Sequence, residues 1–127
     1  MLTREQAYAA DVFKRVSDFK RNSPNQISRY GAMAHQLPLL IRTAGLVQAL
    51  TFVAGRKDEG LNQLLNDLAQ TIKQDNAEKF VAFSRNAPLP QYLRLTQQTM
   101  AALLWYKRFA QSVLDIDPTQ AMDQKES

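Results

Sequence analysis

The amino-acid sequence predicts an all-α protein, a single-domain bundle of about five or six helices, on three observations. Apolar residues recur at three- and four-residue spacing along several segments. No segment alternates with period two for long enough to read as a strand. Residues that start and stop helices stand between the periodic segments. The chain has 127 residues, of which 45% are hydrophobic and 22% charged, enough to bury one core without disulfides or metals.

The elements follow in order. Thr3-Arg4-Glu5-Gln6 has the residues of a capping box, in which hydroxyl and amide side chains satisfy each other's backbone N–H groups. A first helix runs from there to Arg21, with Tyr8, Val12, Val16 and Phe19 on one stripe widened by Ala9 and Phe13. Asn22-Ser23-Pro24-Asn25 breaks it. A second helix is expected from Gln26 to Gln36, ended by Pro38, which disfavours helical geometry at Leu37 and lacks an N–H. Pro38 then opens a third helix, 38–54, apolar nearly all round and so expected at the centre of the bundle. Gly45 within it suggests close approach of a neighbouring helix. Gly55 stops this helix and Asp58 caps the next, whose core side is Leu61, Leu64, Leu65, Leu68 and Ile72. Its other side is Asn62, Gln63, Asn66, Asp67 and Gln70. A short helix capped by Asn76 spans Ala77 to Arg85, Pro88-Leu89-Pro90 makes a turn, and the longest helix runs from Gln91 to Leu114. The domain is expected to occupy residues 1–114, with 115–127 an acidic, disordered tail.

Charge is unevenly divided. The net charge is +4, but the segment from Asp115 holds four acids against one lysine, so residues 1–114 carry +7. A basic body favours polyanionic partners without implying sequence specificity. The usual catalytic signatures are missing. The chain has no cysteine, a single histidine and no glycine-rich phosphate loop, which excludes thiolate chemistry and the common triad, zinc and P-loop patterns. His35 reads as a helix-end residue interacting with terminal carbonyls. The closest carboxylate pairs, Asp58-Glu59 and Asp115 with Asp117, read as a helix start and a tail rather than as metal ligands. An enzyme is not expected, and neither are a cofactor, a metal or a small-molecule substrate. The N-terminus has no apolar leader and no run is long enough to span a membrane, so a cytoplasmic protein without membrane partners is expected.

On the first helix Lys14 and Arg21, seven residues apart, share the face opposite Val12 and Phe19, where they could track phosphates or pair with Asp11 and Asp18. On the last helix Tyr92, Leu95, Leu103, Tyr106, Ala110 and Val113 define the core face. Arg94, Gln97, Gln98, Ala101, Arg108 and Ser112 lie opposite, with Trp105 among them. A tryptophan between arginines suits an interface anchor, although a crossing helix of the same domain could equally cover it. Lys107, near the apolar edge, can snorkel.

Two stretches resemble the small subunit of the type III-B CRISPR effector, the Cmr complex. One is Tyr30-Gly31-Ala32-Met33-Ala34, followed by Leu37-Pro38, Ile41-Arg42 and Gly45-Leu46-Val47-Gln48. The other is Tyr92-Leu93-Arg94-Leu95-Thr96, leading to Trp105-Tyr106-Lys107-Arg108-Phe109-Ala110. With the first helix, the likeness covers residues 3–114 and leaves out the acidic tail. The resemblance implies a helical, non-catalytic subunit that stacks in several copies beside the guide-holding backbone subunits and lines a basic channel for target RNA. Its partners would be the other protein subunits, copies of itself, and guide and target RNA. On that reading Lys14, Arg21, Arg42, Lys107 and Arg108 contact RNA phosphates, and Arg94 and Trp105 contact neighbouring subunits. The alternatives are the small subunit of a type III-A complex, which the motif spacing disfavours, and a helical adaptor that binds protein only.

Overall fold

A computed structural model describes residues 1–119, and among them it contains six α-helices, one short 3₁₀ turn and no strand. The first helix, α1 (Arg4–Asn22), begins at the expected capping box, with Gln6 N donating to Thr3 Oγ1 at 3.1 Å and Thr3 N donating to Gln6 Oε1 at 2.9 Å. Its buried stripe is Val12, Val16 and Phe19. The turn Pro24–Gln26 then reverses the chain into α2 (Ile27–Ala44).

The expected break at Pro38 is not there. Helix α2 continues through Pro38, and the chain breaks instead at Gly45, which adopts φ +89°. Proline removes one backbone hydrogen bond but does not forbid a helix whose flanks are held, and here Leu37, Pro38 and Ile41 are all buried. The left-handed backbone at Gly45 would strain any residue with a Cβ. Space is not the constraint, since a Cβ there would meet the Tyr92 hydroxyl at an ordinary 3.6 Å. Gly45 is therefore required by its backbone conformation, at a break between helices that also lies against the Tyr92 side chain. The same hydroxyl accepts from Val47 N at 3.1 Å, satisfying one of the free N–H groups that open α3 (Leu46–Gly55).

Asp58 Oδ1 accepts from Leu61 N at 3.1 Å to cap α4 (Glu59–Thr71), and Asn76 Oδ1 accepts from Lys79 N at 2.9 Å to cap α5 (Ala77–Asn86). The last helix, α6 (Leu89–Ser112), starts and stops two residues earlier than expected, because Pro90 fits within a first turn, where no N–H is needed. Helix α6 lies against α1, α2 and α4, and its Leu95, Ala102, Leu103, Tyr106 and Ala110 are almost fully buried. The segment 38–54 is not the all-round buried centre that its composition suggested: Leu46, Ala49, Leu50 and Val53 are buried, but Leu39 and Phe52 are more than half exposed.

Packing continues past the expected domain limit at Leu114. Asp115 takes a left-handed φ of +61°, Ile116 N donates to Ala110 O at 2.9 Å, and the Ile116 side chain is 8% exposed against α2. Gly31 makes that possible, because a Cβ on it would stand 2.9 Å from Ile116 Cγ1. Residues 115 and 116 thus belong to the packed body, while the rest of the expected tail beyond 119 lies outside the described residues. His35 is also placed differently from its sequence reading. It sits inside α2, and its Nε2 lies 2.6 Å from Ile116 O, so this nitrogen carries the proton and donates across the domain.

Candidate nucleic-acid interface

Helices α1 and α6 lie side by side and advance in the same direction. Trp105 Nε1 donates to Glu5 Oε2 at 3.0 Å, the Phe13 and Phe109 rings meet edge to face at 5.4 Å, and Lys20 Nζ donates to Val113 O at 3.0 Å. Lys14 follows Phe13 and Arg21 follows Lys20, so along the axis they stand level with the second half of α6, which carries Lys107 and Arg108. Lys14, Arg21 and Arg108 are exposed and Lys107 is half-buried. Arg21 is paired with Asp18, while the Arg108 guanidinium lies 4.9 Å from the Trp105 ring centroid. Lys14, Arg42, Arg94 and Lys107 form no ion pair with another described residue.

Four of the five sequence-predicted RNA residues therefore belong to one end of the α1/α6 pair. Arg42 does not join them. It precedes the Gly45 break, which contacts Tyr92 near the start of α6, and fifteen residues of helix at 1.5 Å each put Lys107 roughly 22 Å further along the axis. Arg94 is exposed at that same early end. Trp105 is half-buried, with its N–H committed to Glu5 and its ring 5.8 Å from that of Phe109, so α1 covers part of it, as the intramolecular alternative anticipated.

Behind this surface lies a polar network that the sequence reading missed. Tyr30 Oη donates to Asp67 Oδ2 at 2.7 Å and Gln63 Nε2 donates to Asp67 Oδ1 at 2.8 Å. Thr71 Oγ1 donates to Asp11 Oδ2 at 2.7 Å, so its partner Tyr106, with Oη 2.8 Å away, supplies the proton between the two hydroxyls. Arg15 Nε donates to the same Asp11 oxygen at 2.8 Å and Arg15 Nη1 reaches Gln70 Oε1. Asp67, assigned from sequence to the solvent side of its helix, is only 6% exposed. Burial raises its carboxyl above the ordinary value, although Tyr30 and Gln63 pull the other way. At Asp11 burial also works upward, but hydrogen bonds from Arg15 and Thr71 outweigh it and hold the group low. Burial keeps both tyrosines protonated well above their usual range. These groups tie α1, α2, α4 and α6 together, and the hydroxyls of Tyr30, Thr71 and Tyr106 each have an acceptor inside the network. Arg15 serves this interior and is not part of the basic surface.

Among the described residues no three or more His, Cys, Asp or Glu side chains are grouped to hold a metal ion, and no helix is long and apolar enough to cross a membrane. Fold and surface together define a class of protein: a small helical bundle, locked by a buried polar network, that presents bases along one helix pair. The sequence matches the CRISPR-associated protein family Cas_Cmr5 over residues 4–113. It is 40% identical over 115 residues to the CRISPR system Cmr subunit Cmr5 of Thermus thermophilus, covering 91% of this chain and 99% of that protein. The fold is similar to the X-ray crystal structure of a CRISPR-associated Cmr5 family protein from the same organism, with a TM-score of 0.82 and 41% identity over 89% of this chain and 98% of that one. The chain belongs to the Cas_Cmr5 family.

Proposed function

We propose that the chain is the non-catalytic small subunit of a cytoplasmic type III-B CRISPR effector, the Cmr complex, present in several copies and lending a basic wall to the target-RNA channel in antiviral defence. The observation that supports the RNA-facing part most directly is the gathering of Lys14, Arg21, Lys107 and Arg108 on one end of the α1/α6 pair, on a body of charge +7. Guide–target pairing supplies the sequence reading in such an assembly, so this subunit needs charge and shape but no base contacts. Arg42, at the other end of α6, serves a separate stretch of backbone. Arg94 and the part of Trp105 left open by Glu5 and Phe109 contact neighbouring subunits.

The test is made on assembled complexes. Replacing Lys14, Arg21, Lys107 and Arg108 together by alanine is expected to leave subunit stoichiometry unchanged and to weaken target-RNA capture, since none of the four is a core residue. Replacing Trp105 by alanine is expected to lower incorporation, because an interface anchor is truncated. Normal capture by the quadruple variant would instead favour a helical adaptor that binds protein only.

A further inference from the structure

Acidic residues are sorted by helix. Helices α2, α3 and α6 contain none, and they expose Leu39, Phe52, Leu89, Leu93 and Leu104. On α6 the leucines form a seam. Leu89, Leu93, Met100 and Leu104 recur at intervals of four, seven and four, which at 100° per residue keeps them within about 60° of arc over roughly 22 Å of helix. Leu89, Leu93 and Leu104 are 67%, 52% and 42% exposed, and Met100 is half-buried. Arg94 stands next to Leu93 and no acid on the helix offsets it, so the seam has a basic border apart from the bases assigned to RNA.

We propose that this seam docks a different protein subunit, one that presents a short apolar ridge bordered by aspartate or glutamate. Leucines offer RNA neither a hydrogen-bond donor nor an aromatic face, so the seam is not an extension of the phosphate-facing wall. A second copy is a poor match. Paired face to face, two copies would set base against base, and the acid-bearing helices α1, α4 and α5 expose only Phe13 and Phe83 as large apolar side chains. An acidic border on another subunit satisfies both the charge and the leucines. The inference rests on the chain being a subunit of the assembly, but not on which of its faces meets RNA.

Photo-crosslinking residues placed at position 93 or 104 of the full chain, in complexes assembled with the other subunits and RNA, give the readout. The expected result is that both positions capture one segment of a single different subunit, and that this segment combines apolar with acidic residues. Leu93→Glu with Leu104→Glu should keep the free chain's melting temperature while cutting incorporation roughly tenfold, and the milder double alanine variant should fall between. Capture of another copy of this chain or of RNA, or normal incorporation of the double glutamate variant, would overturn the seam. If the unaltered chain fails to enter the assembly, the subunit reading fails and takes the seam with it; entry without capture from either position removes the seam alone.

Discussion

Asp67 shows what a single residue adds and why the sequence hid it. It lies on the flank of α4, at an angle that reads as solvent-facing, and it becomes 6% exposed only because α1 and α2 close over that flank. The capping residues Thr3, Asp58 and Asn76 were legible because a cap is decided by three or four neighbours in sequence, whereas Tyr30 and Asp67 are 37 residues apart. The buried carboxyl of Asp67 has a predictable signature. Its folded-state value is raised above 3.8, so the native protein binds this proton more tightly than the unfolded chain, and its contribution to stability falls as pH rises from 3.8 through the folded value. Asp11 acts in the opposite sense: its value is lowered, so its contribution is present above 3.8 and lost as pH falls through the folded value. Asp67→Asn removes the first dependence while keeping an acceptor for Tyr30. Its urea midpoint should be at least as high as the parent's near neutral pH, with a smaller decline from about pH 4 to about pH 8. Asp67→Ala should cost about 1–3 kcal/mol, because a buried tyrosine hydroxyl loses its partner. An asparagine variant as damaged as the alanine variant at every pH would show that the ionised carboxylate is required.

At the scale of elements, periodicity located the six helices up to Ser112, and the errors fell where tertiary packing overrode a local rule. Pro38 carries a strong local stop signal, yet Leu37 and Ile41 on either side of it are anchored in the core and the helix runs on. Gly45 suggested close approach of a neighbouring helix within one continuous helix and instead marks the break between two, because nothing in its immediate neighbours announces a φ of +89°. The C-terminal segment is the clearest case. A polar run containing one isoleucine reads as a frayed tail, but that isoleucine finds the bare backbone of Gly31, 85 residues earlier, and its carbonyl accepts the hydrogen bond from His35 Nε2. Ile116→Ala should therefore lower the melting temperature by roughly 5–10 °C, the effect of losing about 2 kcal/mol of buried side chain. A chain ending at Leu114 should lose at least as much. Should the shortened chain melt within about a degree of the full-length protein, the packing of Ile116 on Gly31 contributes nothing to the fold.

The whole molecule separates its charges as well as its helices. Acids gather on α1, α4, α5 and the segment from Asp115, where several are used in caps and the buried network. The acid-free α6 runs beside α1, and the bases at one end of this pair are those proposed to face target RNA. The basic surplus and the absent catalytic patterns were legible in composition alone. Which bases stand at the same end of the helix pair was not, since that depends on α1 and α6 lying parallel and on the Gly45 break placing Arg42 at the far end. The most direct test of the phosphate-facing role is the salt dependence of target-RNA capture by assembled complexes, compared between the parent chain and the Lys14, Arg21, Lys107 and Arg108 quadruple alanine variant. With equal subunit stoichiometry, the variant's plot of log affinity against log salt should be shallower by roughly 0.7 for each phosphate no longer neutralised. Identical slopes and identical affinities at every salt concentration would contradict it.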